Sequence, residues 1–337
     1  FAIENHQNHK MKRISLLLFI LIILFPALSL DFNRKPNWGF FAHQKINRLA
    51  VFRLPPEMIT FYKHHIQYIT ENAVNPDRRR YAVDYEAPRH YIDLDVYGDS
   101  AVYKLPRYWN DAVEEYTEDT LQAYGIVPWH VHFVTYQLTE AFKENNAEDI
   151  LRYSADLGHY IADANVPLHT TSNYNGQLTG QYGIHGFWES RLPELYSDDY
   201  DFFIGKAEYV DNTQLAIWNA VKDAHLALDS VFGFEKKLTK KMADDSKYSS
   251  ELRGSVNMKV YSRDFSKAYH DMLGDQVERR MRNSIKMVGD YWFTAWVNAG
   301  QPDLDILIEE RAIFSDEEFI PQASDKELRR HESGVQD

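Results

Sequence analysis

The stretch Gly158-His159-Tyr160-Ile161-Ala162-Asp163-Ala164-Asn165-Val166-Pro167-Leu168-His169, taken up again at Ile184-His185-Gly186-Phe187-Trp188-Glu189, decides how this chain is read. A spacing of four places His159 and Asp163 on one helical face, a turn apart, and His185 and Glu189 repeat the arrangement on a second helix. Imidazole nitrogens and carboxylate oxygens aimed at one point are the donors that zinc or a similar divalent ion takes. One such pair alone is most often a hydrogen bond on a helix surface. Two pairs bracketing His169, set among Tyr160, Ile161, Leu168, Phe187 and Trp188, predict a metal site instead.

Outward from that stretch, helical periodicity dominates. Ala147 to Asn165 carries Ile150, Leu151, Ser154, Leu157 and Ile161 as a buried stripe and stops before Pro167. Upstream, Trp38 to Phe52 is a helix with Phe41, Ile46, Leu49 and Phe52. The next opens on Pro55-Pro56, a favoured first-turn position, and shows Met58, Ile59, Tyr62, Ile66 and Ile69. Residues 73–109 read as irregular or extended. A helix from Asn110 to Tyr124 ends at Gly125, and Pro128 starts another that runs to about Asn145. Downstream, Asp211 to Phe232 and Phe265 to Ala299 are helical, the latter stopped by Gly300 and Pro302. The lysine-rich segment 233–260 lacks periodicity and reads as a surface excursion. With no internal repeat and no strand pair evident, the expectation is an all-α, single multi-helix domain over 38–314, followed by a polar tail at 315–337.

The 337 residues, 44% of them hydrophobic, suffice for a large packed core. A net charge of −13 with no dense basic run argues against sequence-independent gripping of duplex DNA. The chain has no cysteine, which excludes disulfides, thiolate ligands and thiol nucleophiles. Residues 1–10 read as an upstream segment or fragment end. Met11 begins a signal-peptide pattern over 11–29: Lys12 and Arg13, the apolar run Ile14 to Phe25, then Pro26-Ala27-Leu28-Ser29 with small residues for cleavage. The apolar run is shorter than the roughly 20 residues of a membrane span. Secretion, or export to a periplasm, is therefore expected.

Beyond His159, His169 and His185, eleven of the fourteen histidines compete for the remaining ligand positions. His64 and His65 are neighbours within a helix and have no carboxylate at ligand spacing. His130 and His132, two apart, point to different faces. His225 and His270 are single helix residues among leucine and tyrosine. His43, just after Trp38-Gly39, and His90, in an aromatic Pro-Arg-His-Tyr-Ile-Asp segment thirteen residues past Asp77, are the better candidates.

The run from His159 to His169 with the later His185-x3-Glu189 resembles the signature of the bacterial zinc-dependent phospholipases C. The opening Trp38-Gly-x3-His43 is similar to the start of the fungal single-strand-specific zinc nucleases, which share that superfamily. The resemblance covers Trp38 to about residue 300 and is strongest over 156–191. It implies an all-helical fold and three zinc ions. Asp77, His90, His159 and Asp163 would hold one; Trp38 and His43 a second, bridged by Asp163; His169, His185 and Glu189 a third. Asp84, close to Asp77, competes for the first aspartate position, and the family's spacing to the histidine favours Asp77. In the family the tryptophan ligates through a free terminal amine, whereas a cut after Ser29 would leave eight residues ahead of Trp38.

The expected chemistry is phosphodiester hydrolysis by zinc-activated water, with Asp77 and Asp163 as the catalytic carboxylates. Zinc lowers the pKa of its water to about 7, so no serine or cysteine nucleophile is required. Glu189 and the short 169-to-185 connection favour a phospholipid substrate, with peripheral membrane contact. The Trp38-Gly-x3-His43 opening favours single-stranded nucleic acid as the alternative. No obligate protein partner is implied. A helical protein stapled by structural zinc is the competing class, but His169, His185 and Glu189 supply only three ligands, which leaves a position open as catalytic sites do.

Overall fold

The computed structural model describes residues 40–308 apart from 81, 244–245 and 254–255, and not the side chains of 253 and 256. Trp38, the 11–29 signal pattern, the upstream ten residues and the 315–337 tail lie outside the described residues. Every described side chain of the candidate site belongs to one compact unit, which excludes Leu252–Val256.

The described residues are overwhelmingly helical. Helices α1 (Phe40–Val51), α2 (Pro56–His64), α3 (Ile66–Glu71) and α4 (Asn75–Arg79) come first. They are followed by α5 (Trp109–Tyr116), α6 (Glu118–Tyr124), α7 (Val127–Lys143) and α8 (Ala147–Ala164). Then come α9 (Thr213–His225) and α10 (Leu228–Thr239), the paired strands β1 (Tyr248–Arg253) and β2 (Val256–Tyr261), α11 (Arg263–Leu273) and α12 (Gln276–Asn298). Shorter helical turns fill the connections. No described helix is long and apolar enough to cross a membrane.

α8 is the central element. Asn146 caps it, its side-chain oxygen accepting from the Asp149 N–H at 3.1 Å, and its apolar stripe is buried as its periodicity predicts. Its Ser154 joins two neighbours. The Trp292 indole of α12 donates to the Ser154 carbonyl at 3.0 Å, and the Ser154 hydroxyl lies 2.8 Å from the Tyr62 hydroxyl of α2. Tyr62 and Trp292 stack with centroids 5.0 Å apart, so three helices meet over one serine. α1 approaches α8 closely at Gly158, where an added Cβ would lie 2.0 Å from Asn47 Oδ1. Across the core, Arg53 at the end of α1 pairs with Asp290 of α12 at 2.8 Å, both buried.

Several expectations need correction. The strand pair at 248–261 was not evident in sequence: its residues, YSSELR and VNMKVY, carry one alternating face each and need their partner to register as strands. The 233–260 segment is accordingly the end of α10 plus this hairpin rather than a structureless excursion. The helix expected over 211–232 breaks at Leu226–Ala227 into α9 and α10. That expected over 265–299 starts earlier, at the Ser262 cap, and breaks at Gly274, whose φ of +63° is left-handed. The helix of 110–124 breaks at Thr117, φ +67°, whose hydroxyl then caps α6.

Candidate metal centre

Each donor sits on an element with a clear local cause. His159 and Asp163 occupy the last turns of α8, which ends before Pro167 because the residue ahead of a proline is pushed to extended backbone; Val166 has ψ 121°. The chain then turns at once through Pro167–Thr170, delivering His169. His90 ends the turn Ala87–His90, and the backbone around it is woven into its neighbours. The Ile126 N–H donates to the Pro88 carbonyl at 2.7 Å and the Ile92 N–H to the His169 carbonyl at 2.8 Å. Gly125 permits that weave, since a Cβ there would lie 2.2 Å from the Tyr91 carbonyl oxygen. Asp77 lies in the short α4, and His43 on the inner face of α1. The path from Ile184 to Tyr196 is helical but carries a π turn over Phe187–Arg191, which includes Glu189.

The structure brings together eight of the nine residues singled out in sequence; the ninth, Trp38, lies outside the described residues. His90 Nδ1 is 2.9 Å from Asp163 Oδ2 and 3.0 Å from His159 Nε2, and His159 Nε2 is 3.2 Å from the same carboxylate oxygen. Asp77 Oδ1 completes this set at 3.7 Å from His90 Nδ1 and 3.8 Å from His159 Nε2. His169 Nε2 and His185 Nε2 face each other at 3.0 Å, with Glu189 Oε2 at 3.4 and 2.6 Å from them. Between the two sets stands His43, its Nε2 3.4 Å from both Asp163 Oδ1 and Glu189 Oε1. Asp163 therefore reaches two donor sets with its two oxygens, and Glu189 does the same. Asp84 joins no donor group among the described residues.

This donor chemistry fits zinc. Bonds of about 2.0–2.1 Å in a tetrahedron put ligand atoms about 3.3 Å apart, and the separations above scatter around that value. The tautomers are compatible with an ion as well: Nδ1 of His159 and of His169 lies against a main-chain carbonyl, which leaves the Nε2 lone pair of each directed at the centre. Three groups of described side chains, His43 with His159 and Asp163, Asp77 with His90 and His159, and His169 with His185 and Glu189, have donor atoms close enough for an ion.

The electrostatics agree. Burial alone would push the His43 imidazole down, yet Glu189, Asp163 and Asp77 override it and hold it up at about 9. Burial opposes protonation of His90 and His169 too, and the facing carboxylates again raise both. Burial would raise Asp163 and Glu189, but the surrounding imidazoles keep both carboxyls well below the usual range. His159 and His185 move down, chiefly through burial. Such a nest of carboxylates recruits positive charge from whatever is at hand.

The histidines set aside in sequence are elsewhere. His130 is buried edge-on against Tyr160, pushed down to about 3 mainly by burial, and belongs to no donor group among the described residues; His132 of the same helix bonds Thr213 at 3.1 Å. Two residues near the centre escaped the sequence reading. Arg80 is 3% exposed, and its Nε and Nη2 find no hydrogen-bond partner among the described residues. It lies close enough to His90 and His185 that its charge opposes protonation of both. Glu86 is buried behind His90. The run Arg78-Arg79-Arg80 directly after Asp77 was the available signal for the first; nothing in the local pattern marked the second.

Among solved structures, the chain is similar to alpha-toxin of Clostridium perfringens from the avian strain SWCP, at TM-score 0.45 and 14% identity, over 79% of this chain and 65% of that one. It is also similar to the alpha toxin of Clostridium absonum, at TM-score 0.45 and 13% identity, over 80% of this chain and 67% of that one. This chain thus spans about two thirds of the length of either. No family model and no curated protein matches it.

Proposed function

We propose that this chain is a zinc-dependent phosphodiester hydrolase of the phospholipase C kind, acting after export. The observation that carries the reading is the pair of carboxylates, Asp163 and Glu189, each turning its two oxygens toward different histidine sets. Asp77, His90, His159 and Asp163 would hold one zinc, His169, His185 and Glu189 another. His43 with Asp163 and Glu189 would hold a third, to which Trp38 is the remaining donor proposed from sequence.

Zinc held there would supply Lewis acidity toward a phosphoryl oxygen and water of pKa near 7. The chain's own groups supply the rest. Arg80, close enough to His90 and His185 to act on their charge, has guanidinium donors without a partner among the described residues, and such donors suit a phosphate anion. Asp77, the most exposed of the carboxylates at 24%, is placed to orient water entering from solvent. Asp163, almost wholly buried, holds His90 and His159 in register.

The test is a parallel assay of the zinc-loaded chain on phosphatidylcholine vesicles and on single-stranded DNA, with chelation and zinc restoration. Release of phosphocholine that stops on chelation and returns with zinc supports the reading. Cleavage of DNA alone would move the chain to the nuclease alternative. A folded, zinc-replete protein that cleaves neither would leave zinc a structural role.

A further inference from the structure

The histidines of the centre differ in what stands behind them. His159 and His169 each turn Nε2 toward the donor sets, and the opposite nitrogen, Nδ1, is placed to donate to a main-chain carbonyl. Those carbonyls are Ala73 at 2.9 Å and His90 at 2.5 Å. His90 is reversed. Its Nδ1 faces inward, while its Nε2 is buried without a hydrogen-bond partner among the described residues. The nearest carboxylate oxygen to that Nε2 is Glu86 Oε1, at 3.7 Å.

Glu86 is itself held from every side. The Tyr160 hydroxyl donates to Oε1, Arg89 Nη1 donates to Oε2 at 2.7 Å, and Arg79 Nη2 lies 3.7 Å from Oε1. Arg79 is in turn clamped to Asp156 at 2.9 and 3.3 Å. Tyr160 and Asp156 belong to α8, the helix that carries His159 and Asp163, so Glu86 is tied to the donor helix rather than to a free loop. A wholly buried carboxylate so braced, one small ring rotation from the outward nitrogen of a donor histidine, has a geometry that general packing does not require.

Resting on the zinc reading above, we propose that Glu86 is the positioning residue of the centre. It accepts the Nε2–H of His90 and so fixes the tautomer whose Nδ1 lone pair faces the ion. Because this partner is a side chain and not a main-chain carbonyl, it is the one orienting contact of the three that mutation can remove.

The test uses the full chain loaded with zinc, and reads metal affinity by competition with a chromophoric chelator. The second readout is the His90 ring nitrogens and Nε2 proton by 15N–1H NMR. Glu86→Gln should weaken the zinc site to which His90 contributes by about 10- to 100-fold. It should also shift the His90 Nε2 proton signal, leaving His169 in place. Glu86→Asp keeps the charge against Arg79 and Arg89 while withdrawing from His90, and should show the same two changes with native unfolding behaviour. Arg89→Gln, which touches Glu86 but not His90, should leave the His90 signal unmoved. Native zinc affinity and an unshifted His90 in folded Glu86→Asp would overturn the proposal while leaving the zinc reading intact. A wild-type chain that takes up no zinc would overturn both.

Discussion

Asp163 meets His90 across 73 positions of sequence, with Oδ2 2.9 Å from Nδ1, while its other oxygen lies 3.4 Å from His43. One carboxylate thus serves two donor sets. Asp163→Asn keeps the shape but halves the donor capacity and removes the charge. It is expected to lower zinc content by more than one ion and phosphodiesterase activity by more than about 100-fold, beyond the 10–100-fold typical of orienting contacts. Metal analysis after gel filtration, beside the two-substrate assay, checks this; full zinc content in the variant would remove Asp163 from its bridging role.

Substitution of Arg80 tests substrate binding apart from metal binding. Among the described residues Arg80 contacts no donor oxygen by ion pair, and its Nε and Nη2 have no hydrogen-bond partner. Arg80→Ala should therefore leave zinc content unchanged while lowering turnover by about 10²- to 10³-fold, the usual effect of removing one anion-stabilising donor. Steady-state kinetics with zinc quantified in the same sample decide the matter.

Gly158 tests the helix contact beneath the centre. A methyl there would overlap Asn47, whose amide donates to the Ala155 carbonyl at 3.0 Å and whose side chain is fully buried. Gly158→Ala forces α1 and α8 apart beside His159. A loss of about 1–3 kcal/mol is expected, as for other overpacked sites, together with weaker zinc binding. Urea unfolding and chelator competition measure the two.

The metal-free protein should respond to pH in a defined direction. His43, held at about 9, and His90 and His169, also raised, bind protons more tightly folded than unfolded. Their contribution is complete below the unfolded value of about 6.5 and is lost as pH rises through the folded values. The melting temperature of the zinc-stripped chain should accordingly fall between pH 6.5 and 9. Zinc loading, which replaces those protons, should flatten that slope. Scanning calorimetry of both forms across this range gives the comparison, and a stripped chain that gains stability over it would contradict the charge balance described here.

Much of the centre was legible in the chain because helical spacing is local geometry. His159 with Asp163, and His185 with Glu189, share a face by virtue of a four-residue step, and both pairs close to within 3.2 Å. The helices at 40–51, 127–143 and 147–164 followed from periodicity and proline positions, whereas α4 lies in a segment read as irregular and the runs opening at Pro56 and near Asn110 each divide in two. Where the reading failed, the reason is nonlocal. The β1–β2 strands have no apolar alternation strong enough to announce themselves alone. The breaks at Thr117 and Gly274 depend on single residues adopting positive φ, which neighbouring helix propensity conceals.

By itself, then, the sequence determined the helical class, the donor types and the two local donor pairs, because these depend on residues a turn apart. Only the tertiary structure decided that His43, Asp77 and His90 join them, that Glu189 reaches His43 as well as His185, and that Arg80 and Glu86 stand at the centre. Those contacts join segments up to 146 positions apart (His43 to Glu189), and their meeting depends on how α1, α4 and the Ala87–His90 turn pack around α8. No local spacing encodes such packing, since it arises from the burial of distant faces against one another.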